Sequence, residues 1–182
     1  MKKSLVYLLF FAVLAIGSRI IPHWPNFTAM IAVTFGGAMM FSNKIKGLLF
    51  PLLIVFISDL ILNNTLYFQG SFTWFTQGSG WLYGSYILIA FLGALNSSEN
   101  KFVKSLALGG TVSAVLFFLI SNFGVWASGT MYSKDFAGLL MCYLAGSEFL
   151  LNQVLGTLAY GLVILGFVRL YEGEFKLALN LK

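Results

Sequence analysis

Residues 17–30 read GSRIIPHWPNFTAM and separate two strongly apolar runs. This stretch holds the only histidine of the chain and two of its three prolines. Pro22 and Pro25 fix their own φ angles and bias the residues before them toward extended backbone. The pattern predicts a stiff turn, in which a first helix ends near residues 19–21 and a second begins at Asn26 or Phe27, with Asn26 as its cap. The chain is thus predicted to fold back here between two apolar helices.

The composition of the chain places it in a bilayer. Of its 182 residues, 59% are hydrophobic and 9% are charged, and the mean hydropathy is +0.88. Soluble domains carry roughly 25% charged residues, and one soluble core of this size cannot hide so much apolar surface. The net charge of +5 therefore bears on membrane orientation, and no nucleic-acid partner is expected.

Hydropathy predicts six membrane spans in one transmembrane domain, residues 1–182. Each span approaches the roughly 20 residues that cross the hydrocarbon core. The N-terminal run resembles a signal peptide, but more spans follow it, so we interpret it as a retained first helix. The fold class is an all-α, polytopic six-helix bundle. The predicted spans are 4–21, 27–41, 47–62, 80–95, 106–126 and 149–168.

The distribution of lysine and arginine predicts that both termini are cytoplasmic. With the N-terminus inside, the outer segments contain only Arg19 and Lys134, which agrees with the positive-inside rule. Residues 169–182 are predicted to form a short interfacial tail. The nine basic residues assigned to the inner side are Lys2, Lys3, Lys44, Lys46, Lys101, Lys104, Arg169, Lys176 and Lys182.

This topology gathers the rare polar residues at the outer side. The turn at 17–30 lies there, Asp59 and Asn63 close helix three, and Asn122 and Trp126 close helix five. Glu148 is expected to open helix six. The inner loops are plain by contrast, and such asymmetry is expected of a protein that captures something from outside.

Each candidate residue also has a structural interpretation. Arg19 can snorkel to headgroups or pair with Asp59 or Glu148. His23 can be a turn residue, and the single cysteine, Cys142, can be a small buried hydrophobe. These two residues are weak candidates for a metal site, and no metal or cofactor is expected. The tryptophans and Tyr67 and Tyr132 form either an outer aromatic belt or the wall of a pocket.

Several strings resemble a family of small, uncharacterised bacterial membrane proteins. They are RIIPHWPNFTAMIAVTFGGAMMF, ISDLILN and LISNFGVWASGTMYSKDFAGLLMCYLAGSEFLLNQVLGTLAYG. That family is similar to the substrate-binding S-components of energy-coupling factor vitamin transporters. The resemblance implies a six-helix subunit of the bacterial inner membrane that binds a vitamin or a similar micronutrient. Cobalamin-like molecules are among the ligands that it implies.

The same resemblance implies a partner. S-components are moved by a coupling module, a membrane subunit with two ATPases, although solitary cobalamin transporters work without a dedicated one. Helix one of that family usually carries an Ala-x-x-x-Ala contact motif, whereas this chain offers Ala12, Ala15, Gly17 and Ser18 without that spacing.

The sequence therefore predicts a binding and uptake subunit, not an enzyme, because no catalytic motif or phosphate-binding glycine loop occurs. Arg19 is expected to meet an anionic group, asparagines to donate and accept hydrogen bonds, and Trp126 to stack on the ligand. The alternatives are an accessory subunit of a larger membrane complex and a membrane enzyme acting on lipid or isoprenoid substrates. The predicted ligand-binding residues are Arg19, His23, Trp24, Asn26, Asp59, Asn63, Asn122, Trp126 and Glu148.

Overall fold

The computed structural model describes residues 3–68, 70–96 and 102–173. These ranges form six α-helices and contain no β-strand, which confirms the all-α prediction. A π-helical turn, Asn63–Tyr67, continues the third helix. The helices are α1 (Lys3–Ile20), α2 (Met30–Met39), α3 (Lys44–Leu62), α4 (Ser79–Leu95), α5 (Phe102–Ser128) and α6 (Phe136–Glu172).

Three helical segments are long and apolar enough to cross a membrane. They cover residues 44–67, 102–128 and 136–172. The other three helices are apolar but shorter. The length and composition of these segments indicate a membrane protein, and the six-span topology stays a prediction. The predicted orientation partly rests on residues that lie outside the described ranges. These are Lys2, Lys101, Lys176, Lys182 and the tail beyond residue 173.

The second helix begins later than predicted. It starts at Met30, and its cap position is Ala29, so Asn26 does not cap it. Asn26 has a φ of 63°, a left-handed conformation that cannot enter an α-helix. Two backbone hydrogen bonds complete the turn, from Phe27 to Trp24 and from Thr28 to Asn26, each 2.9 Å long.

The sixth helix is longer than the predicted span in both directions. Asp135 caps its start, accepting a hydrogen bond from the backbone N–H of Gly138 at 2.7 Å. With 37 residues and about 1.5 Å of rise per residue, α6 is about 55 Å long. Glu148 therefore lies within this helix and does not open it, because Asp135 supplies the start signal earlier in the chain.

The short helix α2 is the centre of the bundle. All ten of its residues are buried, and it packs against α3, α4, α5 and α6. Its approach to α4 depends on Gly93, where a Cβ atom would lie 2.4 Å from the carbonyl oxygen of Phe35. Small residues of this kind let helix backbones come close together in membranes.

The chain direction alternates, so α1, α3 and α5 end where α2, α4 and α6 begin. The opposite end carries Lys44, Lys46, Lys104 and Arg169. There α1 meets α6 through aromatic rings: Phe10 stacks on Phe167 with ring centroids 3.7 Å apart. This arrangement leaves the other end of the bundle free to open into a cavity.

Candidate functional site

A cavity of about 550 Å³ opens at the end of the bundle where α1, α3 and α5 finish. This end is the cavity end of the bundle. All six helices contribute to its wall. Its volume lies within the roughly 300–1,000 Å³ of pockets that hold small molecules. The wall combines polar groups with aromatic and aliphatic side chains, among them Asn63, Asn122, Tyr86, Phe117 and Phe149.

Six of the nine residues predicted to bind a ligand line this one cavity. They come from α1, the turn that follows it, α3 with its π-helical turn, and α5. Residues far apart in the sequence are therefore brought together. The six are Arg19, His23, Asn26, Asp59, Asn63 and Asn122.

The other three predicted residues do not line the cavity. Trp24 is 66% exposed and contacts the edge of Phe27, with ring centroids 6.0 Å apart. Glu148 is exposed, because the cavity face of α6 carries residues 142, 145, 146 and 149, the spacing of one helix face. Trp126 bonds to the neighbouring loop instead. Their predicted role in ligand binding therefore has no support from this cavity and stays a prediction.

Arg19 and Asp59 form an ion pair at the cavity wall. Arg19 Nη1 donates to Asp59 Oδ1 at 2.5 Å and to Ser58 Oγ at 3.1 Å. The hydroxyl of Tyr83, on α4, donates to Asp59 Oδ2 at 2.8 Å. The partner of Arg19 is therefore Asp59 and not Glu148, and both carboxylate oxygens already accept hydrogen bonds.

The π-helical turn places two residues on the cavity. Asn63 and Tyr67, four positions apart, both line it, and π-helical turns are frequent at functional sites. Between them, Asn64 holds the following loop: its Nδ2 donates to Thr73 O at 3.0 Å, and its Oδ1 accepts from Thr73 N at 2.7 Å. This pair of bonds secures the segment from which Thr76 reaches the cavity wall.

The loop between α5 and α6 is held in place by its own hydrogen bonds. Trp126 Nε1 donates to the carbonyl oxygen of Ser133 at 2.8 Å, and Lys134 Nζ donates to the carbonyl oxygens of Trp126 and Gly129. The backbone N–H of Gly138 holds the pKa of Asp135 below its usual value, so this helix cap stays ionised at neutral pH. The loop presents Tyr132 to the cavity.

Sequence reasoning missed several wall residues. Tyr86 is 5% exposed and lies within an apolar stretch of α4. The local sequence does not distinguish it from an aromatic residue that faces lipid. The sequence identifies Tyr67 and Tyr132 only as aromatics of a belt or a pocket, and both line the cavity. None of the four tryptophans lines it, so the tryptophan asymmetry did not indicate the pocket wall.

The weak metal candidates both lie on the cavity wall. Cys142 Sγ donates to the carbonyl oxygen of Asn122 at 3.3 Å, and His23 Nδ1 lies 2.7 Å from the carbonyl oxygen of Trp24. Within the described ranges, no three His, Cys, Asp or Glu side chains gather closely enough to hold a metal ion together. Their contacts are those of a satisfied buried thiol and a turn histidine.

Comparison with known proteins gives a family and no further relative. No curated protein and no solved structure matches the chain significantly. The model of one family, described as a family of unknown function (DUF6580), matches residues 1–178. Because this match covers almost the whole sequence, the chain belongs to the DUF6580 family.

Proposed function

We propose that this protein is a membrane-embedded binding subunit that captures a small molecule at the outer face of the bacterial inner membrane and helps to move it inward. The observation that carries the proposal is the cavity of about 550 Å³, to which all six helices contribute. A cavity walled by several helices at one end of a bundle is a typical site for a small ligand.

The charge distribution supports an outward-facing cavity. Lys44, Lys46, Lys104 and Arg169 lie at the opposite end of the bundle. Cytoplasmic segments are the ones enriched in lysine and arginine. With that end inside, both termini are cytoplasmic and the cavity opens to the exterior.

The comparison with an S-component of a vitamin transporter belongs to this proposal. Six apolar helices, an outward cavity and cytoplasmic termini are what that resemblance implies. The ligand is then a vitamin or a similar micronutrient, and a coupling module with ATPases is a candidate partner. A cavity of about 550 Å³ suits a ligand of ordinary drug size, whereas a whole cobalamin would protrude from it.

The two alternative functions receive less support. An accessory subunit needs a flank for its partner but no cavity with polar walls. In an enzyme that used Asp59 as its acid or base, this carboxylate would have to exchange a proton with the substrate, whereas Arg19 and Tyr83 already donate to both of its oxygens. A binding subunit needs no proton transfer, so the paired Arg19 and Asp59 are compatible with binding.

Native mass spectrometry of the detergent-purified protein tests the proposal. We expect a retained small molecule in the wild-type protein and its loss in Ala145→Trp, because Ala145 lines the cavity and the indole would fill it. Leu144→Trp is the matched control, since Leu144 is 58% exposed on the same helix and lies outside the cavity wall.

Two outcomes would contradict the proposal. One is a wild-type protein that retains no molecule and is stabilised by none. The other is equal retention by Ala145→Trp and Leu144→Trp, which would place the molecule outside the cavity. In either case the accessory-subunit function becomes the better explanation of the fold.

A further inference from the structure

Two largely buried side chains of the cavity wall make no hydrogen bond to the protein among the described residues, and their polar atoms are accessible from the cavity. Asn63 is 6% exposed and Tyr86 is 5% exposed, and both line the cavity. By contrast, the neighbouring Asn64 and Tyr83 have bonded side chains. Buried amides and hydroxyls in folded proteins are nearly always paired with protein, water or ligand. Asn63 and Tyr86 therefore mark where a molecule in the cavity would be bonded.

The charge of the cavity wall restricts that molecule. Among the described residues, its acidic and basic groups are Arg19, Asp59 and His23, and Arg19 and Asp59 form an ion pair at 2.5 Å. The formal charge of the wall is therefore zero when histidine is counted as neutral, as in the formal net charge of the chain. A ligand with a net charge would have to leave water without finding a free counter-charge, and the transfer of an unpaired charge out of water is costly.

We propose that the cavity binds a polar molecule without net charge, one that offers a hydrogen-bond donor and an acceptor to Asn63 and Tyr86. An amide has both a donor and an acceptor, so Asn63 matches amide, urea or imide groups, and the hydroxyl of Tyr86 matches either partner. The rings of Phe117 and Phe149 on the same wall suit a flat, partly apolar body. This inference rests on the proposed binding function and replaces the expectation that Arg19 meets an anionic group.

Charge-separated fractions of a bacterial small-molecule extract are the probe. Ion exchange at pH 7 divides the extract into anionic, cationic and uncharged fractions, and each is added to the detergent-purified, ligand-stripped protein. We expect the uncharged fraction to raise the melting temperature by about 5 °C or more at saturating ligand. The two charged fractions should leave it within about 1 °C of the untreated protein.

Variants then assign the response to the two side chains. Asn63→Leu and Tyr86→Phe should each weaken the response to the uncharged fraction by tenfold or more in ligand concentration. Without ligand their melting temperatures should stay within about 2–4 °C of that of the wild type, because each change removes a polar group that faces the cavity and bonds to no protein atom. Thr65→Val is the control in the same turn, since Thr65 is exposed and outside the cavity wall, and it should respond like the wild type.

The variant Asp59→Asn should respond to the anionic fraction, whereas the wild type should not. It leaves Arg19 without its partner, so the anionic fraction should now stabilise the protein.

Stabilisation of the wild type by the anionic or cationic fraction alone would overturn the inference while the binding function stands. The absence of any response, together with no retained molecule in native mass spectrometry, would overturn both. Unchanged responses of Asn63→Leu and Tyr86→Phe would overturn the assignment to these side chains.

Discussion

Arg19 Nη1 lies 2.5 Å from Asp59 Oδ1 and ties the last turn of α1 to α3, while Tyr83 of α4 reaches the second carboxylate oxygen at 2.8 Å. The two charged side chains are only 17% and 18% exposed. One carboxylate thus joins three helices at the cavity wall. The pair organises this end of the bundle, and it also removes the net charge from the cavity.

Breaking this ion pair should destabilise the protein in a way that a second substitution partly reverses. Asp59→Asn should lower the free energy of unfolding, because Arg19 keeps its charge without a partner. The loss should exceed the roughly 1 kcal/mol of an exposed pair and approach the roughly 3–5 kcal/mol of a buried one. Arg19→Gln in the same chain should recover part of this loss. Thermal unfolding of both single variants and the double variant measures the coupling.

Tyr83→Phe serves as the control for the pair. It removes the third contact to Asp59 but leaves both charges in place, so its loss should be about 1 kcal/mol. Strictly additive losses for Arg19→Gln and Asp59→Asn would show that the two side chains do not interact in the folded protein.

The sequence predicts the number and type of the helices because apolar runs and prolines act locally. It places Arg19, His23 and Asp59 at the same end of the bundle, where they line one cavity, because loops and helix ends alternate from side to side. The start of α6 and the position of Glu148 were wrong because the polar residues 147, 148, 152 and 153 suggested a helix end. Asp135 is a typical N-cap residue that lies earlier in the chain, and its side chain accepts from the backbone N–H of Gly138.

Contacts between distant helices could not be predicted from one sequence. The bond from Trp126 to Ser133 and the buried hydroxyl of Tyr86 depend on the rotation of each helix about its axis. The hydrophobic pattern does not fix that rotation in a membrane, where both the lipid-facing and the packed sides of a helix are apolar.

The close packing of α2 against α4 should make one glycine of α4 intolerant of a methyl group. Gly93→Ala would place a Cβ atom 2.4 Å from the carbonyl oxygen of Phe35, so the helices must move apart at a cost of roughly 1–3 kcal/mol. Gly84→Ala, on the same helix, meets nothing within 4 Å and should be neutral or stabilising by up to about 1 kcal/mol. Thermal unfolding measures both. Equal melting temperatures for the two variants would contradict the packing.

The orientation of the bundle can be tested by cysteine labelling in intact cells. In a Cys142→Ala background, single cysteines at Ser71 and Met131 should react with an impermeant thiol reagent, because both positions lie in loops at the cavity end. Cysteines at Ser42 and Asn96 should react only after the membrane is opened. Labelling of position 42 or 96 from outside would contradict the outward cavity.

The left-handed backbone of Asn26 separates its structural role from a binding role. Asn26→Ala forces an unfavourable conformation at a φ of 63° and should cost about 1–2 kcal/mol. Asn26→Gly accommodates that φ and should keep nearly the wild-type stability, while ligand retention falls because the amide at the cavity wall is lost. His23→Ala should likewise weaken retention with little change in stability. Normal retention by Asn26→Gly would show that the turn serves the fold alone.

Trp126 should influence ligand binding without touching the ligand. Its indole N–H holds Ser133 at 2.8 Å, and its ring lies 5.5 Å from Lys134 Nζ. These contacts fix the loop that presents Tyr132 to the cavity. A loop that is ordered before binding loses less entropy when the ligand arrives.

Trp126→Phe keeps a ring at this position and removes the hydrogen bond. We expect faster amide hydrogen exchange in residues 129–134 and several-fold weaker ligand retention. The melting temperature of the ligand-free protein should change by no more than about 2–4 °C, which is the shift for 1 kcal/mol in a protein of this size. Tyr132→Ala, which removes the presented side chain directly, is the reference. In a protein that already carries Tyr132→Ala, Trp126→Phe should weaken retention no further, because its effect passes through Tyr132. Additive losses would instead mean that Trp126 contacts the ligand itself, as the sequence first suggested.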